Sequence, residues 1–123
     1  MIGEAKNMDK RYLVVIPVNK PPYLKGFNDM NKAVEIMQSK LGTIYKKSGV
    51  KELNEHTVMF SAHARKKNTL VVNDRATYFA NISDEMNIYG PAIIIGEVDE
   101  CLVGLTEDEA NNILNAVNEL TAV

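Results

Sequence analysis

Two histidines, one cysteine and sixteen acidic residues are the groups from which this 123-residue chain could build a reactive site. His56 and His63 are seven positions apart, not at the i, i+4 spacing that sets two imidazoles on one helix face. Cys101 has no second thiol with which to share a metal. As a nucleophile, Cys101 would need a base and surroundings that favour the thiolate, and the preceding Asp99 and Glu100 act the other way. It reads as a buried structural residue. Gly90 and Gly96 flank an apolar run rather than opening a helix, so neither glycine-rich phosphate motif is present. Gly104 does precede a helix, but Glu107, Asp108 and Glu109 would repel an anion there. Glu97, Asp99 and Glu100 could do acid–base work or hold a hard cation. No His, Lys or Arg lies near them in sequence, and the oxygen-ligand spacing of a calcium loop is missing. No catalytic residue, metal or cofactor is expected, and the chain reads as non-enzymatic.

What the charges suggest instead is binding. Residues 1–75 carry all fourteen basic residues and seven acids, whereas residues 76–123 carry nine acids and no Lys or Arg. The two parts are therefore +7 and −9, against a net charge of −2. Folding can interleave these charges, or it can leave a basic side and an acidic side that steer charged partners. Two contact surfaces follow. The acidic one comprises Glu97, Asp99, Glu100, Glu107 and Asp108, and would dock on a basic protein surface, including one that normally holds nucleic acid. The alternative is a basic hairpin tip, Arg65, Lys66 and Lys67, helped by Lys46, Lys47 and Lys51, contacting phosphates. The absence of aromatic residues interleaved with these lysines and a pI of 5.7 favour the first.

Such surfaces need a scaffold, and the chain has material for one. At 46% hydrophobic and 24% charged it matches a single globular domain of ordinary size. No apolar run approaches the roughly 20 residues of a membrane-spanning helix, and no signal peptide opens the sequence. The cytoplasm is the expected compartment. Residues 1–10 are polar and expected to be a flexible N-terminal segment, with one domain over residues 11–121.

The elements follow from pattern. Tyr12 to Val18 is short, apolar and β-branched, a strand that Pro17 must end or hold at an edge. Pro21-Pro22 is a break. A helix is expected from Asn28, its N-cap, to Leu41, with Met30, Ala33, Val34, Met37 and Leu41 on the buried face and Gly42 ending it. Thr57 to His63 alternates and is expected to form a hairpin with Asn68 to Asn73 around the basic tip. Arg75 to Asn87 reads as loop with one helical turn at most. Ile88 to Gly96 reads as a central strand buried on both faces, and Cys101 to Val103 as a short one. Thr106 and Glu109 form a capping box that opens the last helix, with Ala110, Ile113, Leu114 and Val117 on its buried face. The sum is an α+β fold, a mostly antiparallel sheet of four to five strands with two helices packed on one face.

Three strings within this order resemble a small bacterial family of unknown function. They are Asn73-Asp74-Arg75-Ala76, the run Ile88-Tyr89-Gly90-Pro91-Ala92-Ile93-Ile94-Ile95-Gly96, and Leu105-Thr106-Glu107-Asp108-Glu109. Leu41-Gly42-Thr43-Ile44-Tyr45 fits an earlier glycine position. That family is carried on phages, plasmids and integrated elements and brings no catalytic residues. The resemblance implies a protein-binding module of a mobile genetic element, of the kind that inhibits host defence systems such as CRISPR or restriction components. The sequence leaves homodimerisation through a sheet edge open.

Overall fold

The computed structural model describes residues 9–43, 45–50, 56–62, 70–81 and 86–120. In chain order the elements are β1 (Arg11–Ile16), β2 (Tyr23–Phe27), α1 (Met30–Leu41), β3 (Tyr45–Val50) and β4 (Thr57–Ala62). They are followed by α2 (Asp74–Phe79), β5 (Ala80–Asn81), β6 (Ala92–Val98), β7 (Cys101–Val103) and α3 (Glu107–Leu120). All described strand pairs are antiparallel, in the order β2-β1-β6-β4-β3-β5, with β7 added against β6. The α+β class and the antiparallel sheet are therefore as the sequence led us to expect.

Alternation along the strands builds two cores. On one face Leu13, Val15, Phe60, Ile93 and Ile95 pack against Ala33, Met37 and Leu41 of α1. On the other, Val14, Ile16, Met59 and Ile94 meet Ala76 and Phe79 of α2 and Ala110, Ile113 and Val117 of α3. A pair of helices thus shares one face, as α2 with α3, while α1 covers the other. Strands buried on both sides cannot alternate polar with apolar, which is why Ile93-Ile94-Ile95 forms an unbroken run. Each of these isoleucines is fully buried, and each such burial contributes roughly 1.5–3 kcal/mol relative to exposure.

The helix ends have identifiable causes. Asp29, not Asn28, caps α1, accepting from the Asn31 amide at 2.8 Å, and Gly42 ends it at φ 91°. The expected capping box of α3 is present: the Glu109 amide donates to Thr106 Oγ1 at 3.1 Å, and the Thr106 amide to Glu109 Oε1 at 2.9 Å. Helix α2 runs longer than the single helical turn expected at most in this stretch. It exists through Asn73, whose side-chain oxygen accepts from the Ala76 amide at 3.0 Å. The Asn73 amide nitrogen donates to the carbonyls of Ile16 at 2.8 Å and Gly90 at 2.9 Å, tying the end of β1 to the entry of β6. Arg75 reaches the Lys20 carbonyl at 2.9 Å. The Asn73-Asp74-Arg75 string therefore clasps the β1–β2 connection.

The middle of the chain differs from expectation. Thr57–Ala62 pairs with β3 and β6; of the expected partner segment 68–73, the described residues 70–73 form no strand, and Val72 makes an isolated bridge to Tyr89. Three apolar residues at Leu70–Val72 were too short a run to specify a strand. Arg65, Lys66 and Lys67, the expected hairpin tip, lie outside the described residues, as do His63 and residues 1–8 of the N-terminal segment.

Candidate functional site

The sheet changes partner along β6. Strand β1 pairs with β6 only from Val14 opposite Ile94 to Ile16 opposite Ala92. Toward the far end of β6 that side is taken by β7, with Val103 opposite Gly96 and Cys101 opposite Val98. Leu105 then returns to β1, exchanging two backbone hydrogen bonds of 2.9 Å with Tyr12. The wedge needs two glycines for close approach. A Cβ at Gly96 would meet Val103 Cγ2 at 2.8 Å and its carbonyl at 2.9 Å, and one at Gly104 would run into Arg11 Cβ, with Phe27 Cζ at 2.9 Å.

Where β1 and β7 part, an open groove of about 450 Å³ remains. Val98, Leu102, Val103, Leu105 and Met30 give it apolar walls over Gly96 and Gly104, and Arg11, His56, Thr106 and Glu109 supply its polar groups. Val98 and Val103 are 40% and 37% exposed, high for valines on a sheet. Strand register explains the assembly: the start of β1, the end of β2, the start of β4 and the end of β6 all lie at one end of the sheet.

The acidic residues divide at this end. Glu97 faces the α1 side and is held by Lys47, whose Nζ lies 2.9 Å from Oε1 and 3.2 Å from Oε2. The Glu97 side chain is only 17% exposed, so it is largely spent inside the fold. This pair also joins the basic and acidic parts of the chain across β4. Asp99 and Glu100 form the two-residue turn between β6 and β7, and both are exposed. Glu107 and Asp108 are exposed on the first turn of α3. Among the described residues, none of these four carboxylates has an ion-pair partner. Of the five acids expected to form one surface, Asp99, Glu100, Glu107 and Asp108 are exposed on the β6–β7 turn and the start of α3, while Glu97 is paired with Lys47.

The turn carries a backbone cost. Asp99 and Glu100 have φ of 51° and 66°, the left-handed pair that a two-residue hairpin demands and that asparagine and glycine fill most easily. Glutamate has no such ease. Glu100→Gly is expected to raise stability by about 0.5–1 kcal/mol, the relief of strain less the added entropy of the unfolded chain. A denaturant midpoint that rises with an unchanged slope would record it.

Other candidates resolve differently. Cys101 is exposed, not buried: among the described residues β7 pairs only with β6, and its outward residues meet solvent. Lys46 is half-buried on β3, and Lys47, whose side chain is 49% exposed, is paired with Glu97. Lys51 lies outside the described residues. His56 hands its backbone carbonyl to the Glu97 amide at 2.6 Å and sits at the groove. Among the described residues no three His, Cys, Asp or Glu side chains come together to hold a metal ion, and no helix is long and apolar enough to cross a membrane. Arg11, Met30 and Leu102 were not legible as site residues, since only strand register brings them together. Comparison with known proteins found no family model, no curated protein and no solved structure that matches this chain.

Proposed function

We propose that the protein is a non-catalytic binding module that engages a basic protein surface through the exposed carboxylates at the β6–β7 end of the sheet. The observation that carries this reading is that Asp99, Glu100, Glu107 and Asp108 are exposed on the two elements that border the groove, and that none of them has a described ion-pair partner. Isolated surface acids are ordinary, but four beside exposed valines form a patch with an apolar centre and a charged margin, the anatomy of a contact surface. Inhibition of a host defence component is the form of this reading that the family resemblance adds.

The test is capture of a protein from nuclease-treated host lysate by the tagged chain and by a charge variant. Asp99→Lys and Glu100→Lys reverse the turn, while Glu107→Gln and Asp108→Asn neutralise the helix start without placing cations at its positive end. The variant is expected to lose about tenfold or more in affinity, and the parent to weaken as ionic strength rises. Undiminished capture by the variant would sink the reading.

A further inference from the structure

We propose that the groove beside these carboxylates seats one apolar side chain of the partner, flanked in the partner by lysine or arginine. This rests on the protein-binding reading above and adds a seat to it. Register puts Gly96, Val98, Cys101 and Val103 on one face of the β6–β7 hairpin, with Val103 packed closely onto Gly96 and both valines partly exposed at the groove. Leu105, and Met30 and Leu102 from the α1 side, line the rest of the groove, and about 450 Å³ lies at the small end of ligand sites. The opening suits a side chain entering from a polypeptide laid across it.

Charge selects what that polypeptide is. From Gly96 to Ala110 the chain holds six acids and no Lys or Arg. Glu97 is paired with Lys47 and Glu109 is occupied by the helix cap, which leaves the hairpin turn and the first turn of α3 as two unpaired anionic sites next to the groove. An acidic segment or a nucleic-acid strand would be repelled within a Debye length of about 10 Å. A segment with cations on both sides of an apolar residue meets one anionic site on each side while the apolar residue fills the groove. Arg11 lines the same groove and has no described carboxylate partner, so its guanidinium is available to donate to the main-chain carbonyls of an extended segment.

The test uses blocked pentapeptides titrated into the isotope-labelled full chain and followed by amide chemical shifts. The probe has one leucine between two pairs of lysines; the controls are pentalysine and the same leucine peptide with glutamates. The leucine–lysine peptide is expected to shift the amides of Val98, Leu102, Val103 and Thr106. It should bind about tenfold tighter than pentalysine, the effect of burying one leucine, while the glutamate peptide does not bind. The Val98→Ser, Val103→Ser double variant is expected to remove that tenfold advantage. Both side chains are already substantially exposed, so the fold should survive, which the dispersion of the remaining amide signals checks directly. Equal binding of the two lysine peptides, shifts confined to other parts of the sheet, or no binding at all would each overturn the proposal. Lysate capture separates the two readings: full capture by the valine variant, with loss in the charge variant, removes the groove and leaves the acidic surface standing.

Discussion

Asn73→Asp is expected to be among the most damaging single-atom exchanges available in this protein, and to be partly reversible by acid. The side chain is 2% exposed and uses both amide hydrogens on the carbonyls of Ile16 and Gly90 while its oxygen caps α2. Aspartate keeps the capping oxygen but replaces the donating nitrogen by a second acceptor, which then faces two carbonyl oxygens. Two buried carbonyls lose their partners at roughly 1–3 kcal/mol each, and an unpaired carboxylate is buried between them. The loss of about 3–5 kcal/mol is a large part of the stability of a small domain. The sign with pH follows. Burial and the facing carbonyls disfavour the charged form, so the introduced carboxyl has a folded-state pKa above its unfolded value near 4. The protonated form, which can donate one hydrogen bond, is favoured by folding. Stability is therefore retained below the unfolded pKa and lost as pH rises through the folded one. Denaturation of the variant at about pH 4 and pH 7, corrected by the parent at each pH, should show the smaller penalty at the lower value. Asn73→Ala should lose a comparable amount with no such pH dependence, and equal penalties for Asp at both pH values would refute the account.

Gly104→Ala should destabilise by about 2–3 kcal/mol for a different reason, the collision of one methyl group with rigid neighbours. The new carbon would run into Arg11 Cβ, which is fixed to the β1 backbone, and would lie 2.9 Å from the ring of the buried Phe27. Neither can swing away as a long side-chain end would. Relief requires the 103–105 segment to move off β1, stretching the two Tyr12–Leu105 hydrogen bonds and opening the groove wall. The measurements are the denaturant midpoint and the exchange protection of the Tyr12 and Leu105 amides, which should fall together. A fully protected pair in a destabilised variant would mean that the strain is absorbed elsewhere.

Legibility followed physical cause along the chain. Strands β1 and β6 were plain because burial on both faces leaves no room for polar residues, and α3 was plain because its capping box is local. Strands β2 and β3 were missed. Tyr23–Phe27 lies at the sheet edge, and Tyr45–Val50 carries Lys46, Lys47, Ser48 and Gly49, so neither presents an apolar run; pairing with β1 and β4 makes them strands. Helix α2 has six residues and depends on a cap that reaches residues as far off as Ile16, a contact no local pattern announces. The acids of the candidate site were read as one surface, and their division was not foreseen. Lys47 and Glu97 are fifty positions apart, so their pairing, which removes Glu97 from the surface, appears only once β4 lies between them.

The central place of β6 also sets the order in which this sheet can be completed. Its neighbours β1 and β4 were both made long before it, and no described backbone pairing joins them directly. During synthesis the β1–β2 and β3–β4 hairpins emerge as two ribbons bridged, among the described residues, only by the α1 packing, each with an inner edge unpaired until β6 is made. Only when the Ala92–Val98 segment leaves the ribosome does it fit between them, and α3 follows to cover the face. Non-local closure of this kind is slow, and the waiting edges are templates for the wrong strand. A stalled or truncated chain that stops short of β6 would thus be two half-sheets in search of a partner, prone to find it in another nascent chain.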